Sequence, residues 1–414
     1  MRVVGLGLFS VVLAMLSGCG SDPCEGVSGT CIGLEEGASG TDVQTALIEV
    51  SPNSTIAFGE GTFNFAVDLS LDVDNVTIIG QGMDNTVLSF KNQQSGAQGL
   101  LVTGNHFTIR DIAIEDTPGD ALKLEGVDGV NIINTRVEWT GGPKETNGAY
   151  GLYPVQCKNV VIDGCVVKGA SDAGVYVGQS DYIVVRNNRA EQNVAGIEIE
   201  NSTRADVHDN TSTKNTGGIL VFNLPGLEVE NGAVTRVFHN QIFDNNTVNF
   251  APSGNIVGLV PTGTGMAAIA AHQVEIFDND IHDHKSINVG IISYVPTGKP
   301  VDDPTYDQYP TAISIHDNRI SGVSDMPTGQ LGALLISALG EILPNGPFIT
   351  PDIAWDGVVD PARAASPTDR ICIRGNGDAD FINLAWPLNE GAVPTVDMAP
   401  HACTLTALAG VDLP

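Results

Sequence analysis

Five short segments decide how this chain folds: Val184-Val-Arg-Asn-Asn188, Asp206-Val-His-Asp-Asn210, Arg236-Val-Phe-His-Asn240, Glu275-Ile-Phe-Asp-Asn279 and Ser314-Ile-His-Asp-Asn318. Each alternates side chains as a strand with one buried face does, and each closes on Asn. Towards the N-terminus the phrase continues, less strictly, as Val161-Ile-Asp-Gly-Cys165, Asn131-Ile-Ile-Asn-Thr135 and Thr108-Ile-Arg-Asp-Ile112. From first to last the closing positions are 23, 30, 23, 22, 30, 39 and 39 residues apart. A unit of 22–23 residues, with insertions of about 7 and about 16, accounts for every interval. A second column, Ala/Gly-apolar-x-apolar, precedes the closing position in the regular units at Leu122, Leu152, Val175 and Ile197.

No unit has a helical period. A run of four to six residues cannot bury its apolar face alone. Coiling the units so that like strands stack gives each strand two neighbours and the whole a continuous core. The expected fold is all-β, a parallel β-helix. Asn188, Asn210, Asn240, Asn279 and Asn318 support it. Asn tolerates the left-handed backbone of a corner, and stacked amides hydrogen-bond along the axis. Insertions fall at 138–149, 224–233, 245–263 and 295–310, where solenoids often shape a binding face. Residues 329–342 read as an apolar helix over the open C-terminal end of the core. Ile371-Cys-Ile-Arg reads as one more strand, and 387–414 as irregular tail.

The chain has 414 residues, 19 basic and 49 acidic, for a net charge of −30. With 42% hydrophobic residues it is too apolar for a disordered acidic chain. The acidity argues against nucleic acid, whose phosphates need clustered Lys and Arg. It also argues against electrostatic docking to anionic lipid.

The first 19 residues read as a sorting segment. Arg2 precedes an apolar run over 3–15, too short to span a bilayer permanently. Leu16-Ser-Gly-Cys19 then resembles the lipobox of bacterial lipoproteins, which implies acylation of Cys19 and a lipid anchor. Gly20 in place of Asp suggests the outer membrane. Export makes disulfides possible. Cys24 and Cys31, in a Gly/Ser-rich stretch, are expected to pair; Cys372 with Cys403 would tie down the C-terminal tail. Cys157 and Cys165 flank an extended segment that holds them too far apart, so both are expected as buried thiols.

Residues from about 42 to 325 resemble the right-handed parallel β-helix proteins of the pectate-lyase-like superfamily. Thr41-Asp-Val-Gln-Thr-Ala-Leu, then Ser54-Thr-Ile-Ala-Phe and Gly61-Thr-Phe, is similar to its usual entry of a short capping helix and first strand. The resemblance is nearest to a group of bacterial lipoproteins whose members tend to be encoded beside a secreted cytochrome-c-like protein. It implies a signal peptide over 1–19, a tether over 20–40, a β-helix over 41–328 and a C-terminal cap region, helix plus irregular segment, over 329–414.

Within the Leu122 column, apolar residues point inward and the next residue points out. Across turns this gives one outward row, Lys123, Tyr153, Tyr176, Glu198 and Leu220, of which the first four are candidate acid–base groups. Two residues on, Glu125, Glu200 and Phe222 are expected to contact ligand, with Trp139 in a flanking insertion. Aromatic faces suit sugar rings. The alternative is a solvated face whose aromatics serve β-propensity. Tyr150-Gly-Leu-Tyr-Pro-Val-Gln156 is similar to the Tyr-Gly-Phe-Asp-Pro-His-Asp motif of mannuronan C5-epimerases. Tyr150, Gly151 and Pro154 match, but the catalytic acid position carries Tyr153, and Val155 and Gln156 replace the His and second Asp. Epimerase chemistry is therefore not carried over.

Asp280, His282 and His284 are candidate metal ligands, two apart on one strand and so expected to face outward together. The acidic loop Asp302-Asp303…Asp307 is a candidate for Ca²⁺. No Gly-x-Ser-x-Gly, Walker loop or Cys-x-x-Cys-His occurs. The sequence thus points to an exported lipoprotein whose outer face binds a polysaccharide, with lysis or epimerisation of that polysaccharide as a further reading. The alternative is a non-catalytic scaffold docking another exported protein such as the cytochrome-like neighbour.

Overall fold

The computed structural model describes residues 22–323, 327, 329–342, 350–364, 366–386 and 393–413. The lipobox-like 16–19 and part of the tail lie outside the described residues. The chain coils into a parallel β-helix with three walls. A typical turn lays Asp181–Arg186 on wall 1, Arg189–Glu191 on wall 2 and Ala195–Glu200 on wall 3. The next repeats it with Thr203–His208, Thr211–Thr213 and Gly217–Phe222. These strands pair in parallel, one turn apart. Wall 3 is a sheet of 11 strands. Walls 1 and 2 form one sheet of 20, because Phe107–Glu115 and Asp128–Glu138 run unbroken across their shared corner.

The repeat phrase maps directly onto this. Its central apolar residues stack as Ile109, Ile132, Ile162, Val185, Val207, Val237, Ile276, Ile315 and Ile373, each at most 2% exposed. A fully buried Val or Ile contributes roughly 1.5–3 kcal/mol, so such columns hold the turns together.

The Asn ladder is present and longer than expected. Each amide Nδ2 donates to the Oδ1 one turn on, from Asn188 to Asn210, Asn240, Asn279, Asn318 and finally Asn376, at 2.9–3.0 Å. The left-handed residue is not the Asn, however. It is the residue before it: Asn187, Asp209, His239, Asp278 and Asp317, with φ between 52° and 56°. That reversal swings the following Asn inward, where its amide replaces the strand bonds that the corner interrupts. A second ladder, at the corner of walls 2 and 3, joins Asn193, Asn215, Asn245 and His284 in the same way.

At the N-terminal end, helix α1 (Gly40–Glu49) is capped by Ser39, whose hydroxyl accepts from the Asp42 amide while Asp42 accepts in return. Its buried Val43, Ala46 and Leu47 close the core. The tether expected over 20–40 is shorter than that. Thr30–Leu34 is already a strand, paired with Ser54–Phe58, and Cys24–Cys31 is a disulfide beside it. The solenoid also runs past residue 328. Ile353–Trp355, Ile371–Arg374 and Phe381–Asn383 extend walls 3, 1 and 3. Helix α2 (Gly329–Ile342) does not lie over the end of the core. Its Leu335 packs with Ile287, Ala354 and Ile382 on wall 3. The Cys372–Cys403 disulfide roots the last segment, which then runs back along wall 1: the amides of Leu408 and Val411 donate to Glu275 Oε2 and Asp206 Oδ2, each at 3.0 Å. Cys157 and Cys165 are separate buried thiols.

Candidate functional site

The outward row of wall 3 is in register as the repeat dictates. Lys123 pairs with Tyr153, Tyr176 with Glu198, and Glu198 with Leu220, while Leu152 opposite Val175 sets Tyr153 beside Tyr176. The Tyr153 and Tyr176 ring centroids are 5.0 Å apart. Tyr150, at the entry to the strand, completes a trio at 4.6 Å from Tyr153 and 4.5 Å from Tyr176. Lys123 Nζ lies 5.6 Å from the Tyr153 centroid and 2.9 Å from Glu125 Oε2.

The row is not the exposed face that alternation implies. Tyr176 is 4% exposed, Glu198 1% and Phe222 1%, and Glu200 is buried with them. The insertion 245–263 folds over them. Its Val257 and Val260 are buried against Tyr176, Leu220 and Phe222, with Phe250, Ala251 and Ile256 packed alongside. Outward on the strand therefore means inward to a second apolar core. Phe222 is not available to a ligand. Nor is Trp139, which belongs to the main core and donates its indole N–H to Thr117 O at 2.7 Å. Lys123, Tyr150 and Tyr153 stay half-buried and Glu125 exposed, which leaves a mouth at one end of the row.

Beneath this mouth lies a set of carboxyl groups that single-strand reading only half found. Asp120 Oδ1 accepts the Tyr150 amide at 3.3 Å. Asp172 Oδ2 accepts from Asn255 Nδ2, in the covering insertion, at 3.0 Å. Glu198 and Glu200 are hydrogen-bonded to each other, and Tyr176 hydrogen-bonds Glu200. Asp172 Oδ1 and Glu198 Oε2 are buried without a hydrogen-bond partner. Burial, then the Glu200 charge, pushes the Asp172 carboxyl up to about 7. Burial pushes Asp120 up to about 6. Glu198 and Glu200 are raised as well, by burial first, and for Glu198 then by Asp172 and Glu200. Burial also raises the Tyr153 hydroxyl to about 12, and Tyr150 and Tyr176 in the same direction. Asp172 therefore remains partly protonated close to neutrality, and the hydroxyls stay donors. Such groups hydrogen-bond hydroxyl-rich ligands and can exchange protons with them. Asp120 and Asp172 carried a faint signal, standing two and three residues before the Leu122 and Val175 column. Asn255 had none, because the repeat does not index an insertion.

Of the three metal candidates, Asp280 and His282 lie 4.0 Å apart on the outer face, but His284 does not join them. Asp283 has φ 60°, so the chain reverses between His282 and His284. His284 points inward as the last step of the second ladder, between Asn245 and Asn288. His282 stays outside, on Asp283 at 2.8 Å, and Asp280 is taken by Arg319. In the acidic loop, Asp303 caps Thr305 and Asp307 pairs with Arg363. Among the described residues, no three His, Cys, Asp or Glu side chains are arranged to hold a metal ion. The loop residues thus do not fit Ca²⁺ as placed.

Residues 95–294 match the family model described as right handed beta helix region. No curated protein matches the sequence. Among solved structures, the Azotobacter vinelandii mannuronan C-5 epimerase AlgE4 A-module is similar, at 18% identity and a TM-score of 0.54 over 81% of this chain and 90% of that one. The AlgE6 A-module of the same organism matches at 16% identity and a TM-score of 0.46 over 84% and 92%. At these identities the likeness is one of fold. Parallel pairing turn upon turn, the stacked core columns and the family match agree: this chain folds as a right-handed parallel β-helix.

Proposed function

We propose that wall 3 binds a carbohydrate chain, and that the protein is exported and held at an outer membrane by lipid on Cys19. The observation that carries the binding reading is the half-open mouth, where the rings of Tyr150, Tyr153 and Tyr176 touch one another near the partly protonated Asp172. Aromatic rings beside donors and acceptors suit a sugar, whose rings present C–H faces and hydroxyl edges. The fold likeness to a mannuronan C-5 epimerase is consistent with a carbohydrate ligand. Lysis or epimerisation is a weaker reading, since the epimerase-like motif carries Tyr153 and Val155 where that motif has its acid and its His. Docking of another exported protein is favoured by one feature, the exposed Val229 and Val248 on the insertions beside the wall.

A glycan array probed with the detergent-solubilised protein tests the reading. One glycan class is expected to be retained, and Tyr153→Ala to weaken it about tenfold or more, the size of one lost stacking contact. A blank array, or binding indifferent to Tyr153→Ala, overturns it. A blank array together with capture of one fixed protein establishes docking instead. Anchoring is checked by fractionation: Cys19→Ser should release the protein from membranes.

A further inference from the structure

Resting on the reading of wall 3 as a sugar-binding face, we propose that its ligand carries free amino groups: a glycan with unsubstituted hexosamine residues, not a polyuronate.

The charge balance of the wall points this way. Across its 11 strands, Lys123 is the one basic side chain, and its ammonium is already paired with Glu125. A uronate carboxylate would find no free ammonium or guanidinium there. It would instead face Asp120, Asp172, Glu198 and Glu200 on a chain of net charge −30. The net negative charge steers such a polyanion away at a distance, and ionising these acids beside it would add repulsion at contact.

An ammonium group meets the opposite surroundings. Two carboxyl oxygens, Asp172 Oδ1 and Glu198 Oε2, are buried and unpartnered, on side chains at least nine-tenths buried. Unpaired buried acceptors are costly, and a donor with three N–H groups relieves them. The three tyrosine rings stand in contact beside them, and an aromatic face attracts a cation. Burial raises these carboxyls, Asp172 to about 7, so they keep their protons more readily than exposed acids do. An ammonium would take the place of those protons, so binding should release protons to solvent. Asn255, which holds the covering insertion to Asp172, is the contact that must yield for a ligand to reach the deeper acids.

Titration calorimetry of the full chain tests this with three probes at mildly acidic pH: a glucosamine oligosaccharide, its fully N-acetylated counterpart, and an oligogalacturonate. Each is run in two buffers of different ionisation enthalpy. The amine oligomer is expected to bind about tenfold more tightly than the N-acetylated one, with proton release. Asp172→Asn and Glu198→Gln, near-isosteric with the protonated acids, should bring the two within about twofold. Tyr153→Ala should weaken both. Asp302→Asn with Asp303→Asn, in a loop off the wall, should change neither and so controls for the overall negative charge. Melting curves check that each variant folds. If the N-acetylated or uronate oligomer binds as tightly as the amine, and Tyr153→Ala still weakens it, the amine preference is wrong and the sugar-binding reading stands. If the preference survives Asp172→Asn and Glu198→Gln, it arises elsewhere and the proposal fails. If none of the three binds, the amine proposal falls, and a blank glycan array would take the sugar-binding reading with it.

Discussion

Asn240 shows what one residue type does here. Its Oδ1 accepts from the Asn210 amide and side chain, and its Nδ2 donates to Val207 O and to Asn279. A corner breaks the strand ladder, so main-chain groups there need other partners, and a buried amide supplies them. Asn240→Ala leaves the Asn210 N–H and the Val207 carbonyl unpaired in the interior. Each such group costs about 1–3 kcal/mol, so chemical denaturation should report a loss of about 2–4 kcal/mol. A loss below about 0.5 kcal/mol would mean that the ladder merely fills space. His284 follows the same logic. Read as a letter it is a metal ligand; placed after the left-handed Asp283 it is the end of a ladder.

At the scale of the element, the insertion 245–263 decides what the candidate site exposes. It is largely irregular, with a single 3₁₀ turn at Ile256–Leu259. Its apolar underside covers Leu220 and Phe222, and its one polar tie to the acid cluster runs from Asn255 to Asp172. Asn255→Ala removes a donor from a buried carboxyl, at a cost of about 1–3 kcal/mol borne locally. Amide exchange within 245–263 should quicken about tenfold while the strands of wall 1 keep their rates. Uniform acceleration across the chain would show that the insertion is fused to the core and not a separable cover. The repeat could not have announced this element. Period and alternation index strands, and they say only that an insertion exists, not which wall it folds onto.

For the whole molecule, buried titratable groups set the response to pH. Asp172 at about 7, and Asp120 and Asp356 at about 6, are raised by burial. Folded, they hold protons that the unfolded chain releases at ordinary carboxyl values. Their contribution to stability is complete below about pH 4 and is lost as pH rises through about 6 to 7. His284 acts in the opposite sense. Burial lowers it to about 4, so its contribution is complete above the ordinary histidine value and is lost as pH falls towards about 4. Between about pH 6 and pH 8 the carboxyl term dominates, so the melting temperature should drop across that window. Asp172→Asn should flatten the drop. A melting temperature that rises towards pH 8 would contradict the burial of these acids.

What the sequence by itself determined is the solenoid: its turns, its inward columns, its Asn corner and the neighbours along each wall. A repeat makes tertiary contacts periodic, so spacing along the chain becomes position in space. That is why Tyr153 and Tyr176 could be set side by side, and Lys123 beside Tyr153, from letters alone. Only the tertiary structure decided which outward residues meet solvent. Insertions 245–263 and 329–342 fall outside the period, and their apolar faces chose wall 3 by packing. That choice buried Glu198, Glu200 and Phe222, tied Asn255 to Asp172, and left the mouth at Tyr150 and Tyr153. The physical reason is that alternation encodes which side of its own strand a residue faces, while exposure depends on what else in the chain comes to lie over that side.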